Sequence, residues 1–246
     1  MTYRELILLV VLPLGAYVVG STPFGVMIAR ARGVDLRKCG SGNVGATNVG
    51  RVLGRKWGLL CFFLDVAKGL APVLAAGAVI GRSPDALTAM AQVLLLAVAF
   101  GAIAGHVFSF YLKFRGGKGV ATSLGVVLGV FPYFTWPALA ALGVWIAVAL
   151  ATRYVSLASM AAAVSFVVFF ATFNFSRLAM VWPLGAFASA MAGLIIVRHR
   201  ANIRRLLAGT ENRIGPGVGD KASPPDVGET LTASGQGDGG SERKAR

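Results

Sequence analysis

Long apolar blocks alternate along the chain with short glycine-rich or basic breaks. The blocks fall at residues 6–31, 57–80, 86–108, 120–131, 135–151, 154–175 and 178–197. Most reach the ~20 residues that an α-helix needs to cross a ~30 Å hydrocarbon core. The first carries Pro13 and the segment GSTPFG at residues 20–25, which predicts a helix kinked or unwound toward its far end. The fourth, with twelve residues, is too short to span upright. The pattern predicts an all-α integral membrane protein, a bundle of seven transmembrane helices with the fourth one short. After residue 197, RHRANIRRLLAGTENR reads as a short amphipathic helix over residues 198–209, with Ile203, Leu206 and Leu207 on one side and Gly209 as its stop. Residues 1–213 are thus expected to form the membrane domain. Residues 214–246, rich in Gly, Pro and Ser, are expected to be a disordered tail.

Composition agrees: 56% hydrophobic and 14% charged residues, with a mean hydropathy of +0.70, exclude an ordinary soluble domain. The net charge of +14 would suggest nucleic acid in a soluble chain. Its distribution gives a topological reason instead and leaves no nucleic-acid partner. With seven crossings and the N-terminus outside, twenty of the 24 cations lie on the inner side, Arg4, Arg82 and Arg177 lie outside, and Lys68 sits within a span. If the fourth block did not cross, the nine cations from Arg198 onward would move outside, so the bias favours an outer N-terminus and a cytoplasmic C-terminus. The first block lacks an A-x-A-like cleavage site and is expected to stay as a span. Cys39 and Cys61 have neither the number nor the spacing of a disulfide or metal framework.

Under this topology three polar clusters share one face, at residues 39–51, 115–119 and 199–205, and RYVSLAS from Arg153 adds a fourth contribution. Gly40, Gly42 and Gly45 match GxGxxG, but that dinucleotide fingerprint needs a strand before it and a βαβ unit around it, and here the neighbours are membrane helices. What survives is a dense set of donors, Ser41, Asn43, Thr47 and Asn48, beside Arg51. In RGGKG, Lys118 stands between Gly116, Gly117 and Gly119, whose bare backbone N–H groups beside fixed positive charge suit phosphate contact. It is no Walker A loop, because Leu112 stands where a glycine is needed and Lys118 is followed by Gly119, so ATP is not implied. Arg115 reads equally as a phosphate ligand and as a membrane anchor. His199 and Asn202, spaced i, i+3, share a helix face, while Ser156 lacks the context of a nucleophile and is expected to donate a hydrogen bond. His106 and His199, without a supporting cluster, predict no metal. Asp65 and Lys68, also i, i+3, are placed to pair inside the second span.

Taken in order, GSTPFG, SGNVGATNVGR, GHVFSFYLKFRGGKGVAT, RYVSLAS and HRANIRRLLAGTEN resemble the successive signatures of the bacterial acyl-phosphate-dependent glycerol-3-phosphate acyltransferases, the PlsY family, from Gly20 to Asn212. The resemblance implies a seven-helix protein of the bacterial inner membrane with its active site at the cytoplasmic face. It implies transfer of a fatty acyl group from acyl phosphate to the 1-hydroxyl of glycerol 3-phosphate, giving lysophosphatidic acid, without a cofactor. The lipid bilayer and a soluble enzyme that makes the acyl phosphate are the partners it suggests. Catalytic roles carry over to Lys118, Arg51, Ser156, His199 and Asn202. Substrate binding carries over to Ser41, Gly42, Asn43, Gly45, Thr47, Asn48, Gly116, Gly117 and Gly119. Acyl phosphate is expected near Ser41, its loop and Gly117, and glycerol phosphate near Arg51, Ser156, His199 and Asn202, with Lys118 between. Because acyl phosphate is already activated, no covalent acyl-enzyme is needed. The motifs offer no obvious carboxylate base, which leaves the substrate's own phosphate or His199 to take the hydroxyl proton. A transporter for phosphorylated metabolites is the competing reading, but it would hold its site near the midplane, and no internal repeat is evident.

Overall fold

The computed structural model describes residues 6–81 and 88–214; the expected tail beyond Ile214, together with Arg4 and Arg82, lies outside them. Among the described residues every regular element is helical. A π-helical turn at Ile7–Val11 leads into α1 (Leu12–Ser21), and α2 (Phe24–Arg30) follows after a break at Thr22 and Pro23. The break has a local cause, since proline disfavours the helical region for the residue before it and brings no N–H of its own. Next come α3 (Ala46–Leu53), α4 (Arg55–Ile80), α5 (Ala89–Val107) and α6 (Val120–Gly129). The chain ends its helical part with α7 (Thr135–Thr152), α8 (Val155–Phe173), α9 (Trp182–Arg198) and α10 (Arg200–Leu207).

Among the described residues five stretches are long and apolar enough to cross a membrane: Leu9–Arg30, which takes in α1 and α2, then Arg55–Ile80, Ala89–Leu112, Thr135–Thr152 and Val155–Phe173. The apolar helices α6 and α9 are shorter, with 10 and 17 residues. At 1.5 Å per residue α6 covers only ~15 Å. Large apolar side chains such as Leu14, Phe63, Phe100 and Leu150 remain exposed on the outer faces. That surface would invite aggregation in water, and it is what hydrocarbon requires.

α1 packs along α5, α4 lies against α3 and α6, and α7, α8 and α9 follow one another. Close approach of α1 and α5 depends on the GAIAG stretch of α5. A methyl group on Gly101 or Gly105 would lie 2.4 Å from the Pro13 carbonyl oxygen or 2.2 Å from that of Tyr17. Only side-chain-free positions let two membrane helices meet backbone to backbone in this way. The far end of the bundle is filled by aromatics: Phe134 is fully buried, with its ring edge-on to Phe166 and Phe170 at centroid distances of 5.3 and 5.4 Å.

Two charges lie inside the bundle on α4, as their spacing led one to expect. Lys68 Nζ is 2.7 Å from Asp65 Oδ1 and donates to the Thr22 carbonyl at 2.8 Å. The lysine therefore answers both a buried carboxylate and a carbonyl at the break between α1 and α2. Either group left alone there would be costly.

Candidate active site

The first polar cluster folds around one side chain. Asn48, buried on α3, accepts the Ser41 N–H on Oδ1 at 2.8 Å and donates from Nδ2 to the carbonyls of Cys39 and Asn43 at 3.1 and 2.9 Å. Asn43 in turn accepts the Gly45 N–H at 2.9 Å, which sets the chain's entry into α3. The glycine pattern thus shapes a turn around Asn48, whose amide is committed to the loop and is not offered to a substrate as expected. Ser41, Thr47 and Arg51 are held on the outer side of this turn.

The second cluster is strapped down from both sides. Gly116 and Gly117 donate their N–H groups to the carbonyls of Val107 and His106, each at 3.1 Å, where α5 ends. Arg198, at the end of α9, donates to the carbonyls of both glycines at 3.2 and 3.0 Å. The expectation that Gly116 and Gly117 present bare N–H groups to an anion is therefore corrected. What Gly117 supplies is room, because a methyl group there would lie 2.3 Å from His106 Nε2. Gly119, at φ +86°, turns the chain into α6. Between them Lys118 reaches across, and its Nζ donates to Asn202 Oδ1 at 2.6 Å. Arg115 is exposed, and its part in the loop is a carbonyl that accepts from Arg37 at 2.9 Å.

The last helix turns its polar side to the protein. Leu207 is 86% exposed, and the side of α10 turned to the protein carries buried Asn202 and half-buried Arg205. A polar inner face is required because α10 roofs a polar space. Beneath it lies a residue that the sequence reading passed over, Glu211. Its carboxylate accepts from Ser156 Oγ at 2.7 Å, Asn202 Nδ2 at 2.6 Å and Arg205 Nε at 2.7 Å. It is the one carboxylate in HRANIRRLLAGTEN, and that isolation among cations was the available signal. Arg213 stacks on Tyr154 and bonds its hydroxyl at 3.0 Å, and Ile214 N–H reaches the Arg153 carbonyl at 2.9 Å, so the chain folds back and carries Glu211 inward.

These elements enclose a cavity of about 250 Å³. Of the fourteen expected site residues, eleven line it: Ser41, Asn43, Gly45, Thr47, Asn48, Arg51, Lys118, Gly119, Ser156, His199 and Asn202. Gly42, Gly116 and Gly117 stand outside the lining and shape the loops behind it. The first turns of α3, α6 and α8 all open on this space without a side-chain cap, so positive helix ends add to Arg51, Lys118 and Arg205. One end is built for anions. The other runs between α7, α8 and α9 past Leu142, Ala162 and Met191, and it is apolar.

Burial, outweighing the pull of Glu211, brings Lys118 down to about 8, with Arg205, Arg51 and Arg198 adding repulsion. Burial and the neighbouring Lys118 lower His199 to about 4. The ring is therefore neutral, and because its Nδ1 lies 2.7 Å from the Ile195 carbonyl, that nitrogen carries the hydrogen and Nε2 is the acceptor. Burial alone would raise Glu211, but hydrogen bonds from Asn202, Ser156 and Arg205 overcome it and hold the carboxyl below the usual range. Among the described residues no group of three or more His, Cys, Asp or Glu is placed to hold a metal ion.

A family model described as glycerol-3-phosphate acyltransferase matches residues 10–209. The chain belongs to the glycerol-3-phosphate acyltransferase family. A member from Geobacter sulfurreducens is 46% identical over 85% of this chain and 97% of its own length, and one from Aquifex aeolicus is 46% identical over 80% and 95%. A solved structure of PlsY (YgiH), an integral membrane glycerol 3-phosphate acyltransferase in its glycerol 3-phosphate form, is 43% identical and superposes with a TM-score of 0.72, covering 83% of this chain and 94% of that one. The lysophosphatidic acid form of PlsY gives 42% identity and a TM-score of 0.70. As a PlsY-family acyltransferase the chain is a multi-pass membrane protein, and the matched residues take in every site residue expected from its sequence. Glu211 lies just beyond them.

Proposed function

We propose that the protein transfers a fatty acyl group from acyl phosphate to the 1-hydroxyl of glycerol 3-phosphate, releasing lysophosphatidic acid and inorganic phosphate, with no acyl-enzyme and no cofactor. One observation carries this reading: a single cavity joins a cationic end, built from Arg51, Lys118, Arg205 and three helix N-termini, to an apolar end inside the bundle. The chemistry of the first suits phosphates and that of the second a fatty chain. A carrier for small phosphorylated metabolites has no use for the apolar half.

Acyl phosphate is its own activated donor, so the protein has to place two anions and stabilise the charge that develops on the acyl carbonyl. Lys118, linked to Asn202, is assigned to both phosphates, with Ser41 and Arg51 on one side and Ser156 on the other. Neutral His199 accepts the hydroxyl proton on Nε2 as the glycerol oxygen bonds to the acyl carbon. With its basicity so reduced it holds that proton only until the departing phosphate, whose bond to the acyl carbon breaks, takes it. We place the seven apolar helices in the inner membrane, with the N-terminus outside and the cavity at the cytoplasmic face. The excess of cations on that side supports this placement. A soluble enzyme that supplies acyl phosphate is the partner proposed.

Purified protein given glycerol 3-phosphate with either palmitoyl phosphate or palmitoyl-CoA, in the presence of chelator, is expected to form lysophosphatidic acid from the phosphate alone. Product from the CoA ester alone would overturn the donor assignment.

A further inference from the structure

On α8 the residues that face the cavity run from Ser156 through Ser159 and Ala162 to Phe166, and none lies further along. Ser159 closes the polar part of this row: its hydroxyl donates to the Val155 carbonyl at 2.8 Å and accepts from Trp145 Nε1 at 3.2 Å. Beyond it the wall is apolar. From Ser156 to Phe166 the row descends ten residues, ~15 Å at the helical rise. That is half of a ~30 Å hydrocarbon core, the depth filled by one acyl chain of a membrane lipid. Phe166 is buried and not free to swing aside, since its ring is wedged edge-on against Phe134, which touches Phe170 and Phe187 in turn. Along this descent Ala138, Ala141, Ala162 and Ala163 leave room beside Leu142 and Met191, and the slot ends at the aromatic cluster.

We infer that Phe166, braced by Phe134, is the floor of the acyl slot and sets the longest fatty chain the protein accepts. The inference rests on the acyl-transfer reading above and adds to it the residue that decides chain length. Ala162 lies one turn nearer the polar end on the same helix face. Enlarging it raises the floor and removing the Phe166 ring lowers it, so the two changes act in opposite directions. A rigid apolar pocket that must reject one methylene discriminates by ~10-fold or more.

The test compares dodecanoyl, tetradecanoyl, hexadecanoyl, octadecanoyl and eicosanoyl phosphates as donors to glycerol 3-phosphate, measured as kcat/KM with the whole chain in detergent. Phe166→Ala, with Phe166→Leu as the milder change should the first not fold, is expected to raise the eicosanoyl to tetradecanoyl ratio ~10-fold or more. Ala162→Phe is expected to lower the octadecanoyl to dodecanoyl ratio by a similar factor. Active variants with the wild-type length profile would overturn the floor. Wild-type protein that turns over none of the five acyl phosphates would instead overturn the acyl-transfer reading on which the floor rests.

Discussion

Lys68 and Lys118 are both withdrawn from water, and the difference between them separates structure from chemistry. Lys68 is spent: its ammonium meets Asp65 at 2.7 Å and the Thr22 carbonyl at 2.8 Å, and every charge in reach is matched. Lys118 touches only the neutral oxygen of Asn202 at 2.6 Å, among three arginines that repel it. Glu211, which could have satisfied it, gives its hydrogen-bonding capacity to Ser156, Asn202 and Arg205. One cation completes the fold, while the other is kept short of an anion that a substrate brings.

The largest expected effect tests the first half of that contrast. Lys68→Met leaves Asp65 buried without its partner and is expected to lower stability by ~3–5 kcal/mol, read from unfolding in detergent. The double variant Asp65→Asn with Lys68→Met should recover most of the loss, because it removes the orphaned charge as well. Equal stability of the single variant and the wild type would show that the pair does not support the fold.

Lys118→Ala tests the other half. Turnover is expected to fall ~10²-fold or more, the scale of losing one donor aimed at developing charge. Its melting temperature should hold or rise, since no buried carboxylate loses a partner and a cation that burial disfavours is removed. Near-normal turnover of the purified variant would remove Lys118 from the reaction.

The same contrast marks what could be read from residues alone. A bilayer forces apolar runs of near-fixed length, so five of the seven expected spans stood out, while the helices of the fourth and seventh blocks, α6 and α9, are shorter; α1 breaks at the expected GSTPFG because proline leaves the same mark in any helix. The pairing of Asp65 with Lys68 followed from spacing. What a string cannot display is whether a donor is already engaged. Gly117 looks identical whether its N–H faces a phosphate or, as here, the His106 carbonyl. Asn48 likewise looks like a ligand until its amide is seen to bind its own loop. Glu211 escaped because a lone acid among arginines reads as a solvated ion.

Gly117 connects the two lysines physically. His106, whose Nδ1 lies 3.7 Å from Asp65 and 3.1 Å from the Thr122 hydroxyl, fills the space beneath Gly117, next to Lys118. Gly117→Ala should push the loop off this ring at a cost of ~1–3 kcal/mol of overpacking. Turnover should drop with the stability, and the added change His106→Ala should restore part of both. If the alanine variant keeps wild-type turnover and stability, the loop is not seated on the imidazole.

The smallest effect is the one that most directly reads the charge state of Lys118. Below about 8 it is a cation, and above that it sheds its proton although an ordinary lysine holds on to 10.5. Because this titration belongs to the free enzyme, it should show in kcat/KM for glycerol 3-phosphate. That ratio is expected to be level below about pH 8 and to fall toward ~10-fold per unit above it, as the cation fraction falls. Stability moves the other way: between about 8 and 10.5 the unfolded chain holds a proton that the native site has released, so this group's contribution to folding rises with pH and is lost again as pH falls through 8. Lys118→Arg separates the two, because a guanidinium stays charged throughout this range and should abolish both the decline in kcat/KM and the gain in stability. A decline that persists unchanged in the arginine variant would belong to another group and would leave Lys118 as quiet as Lys68.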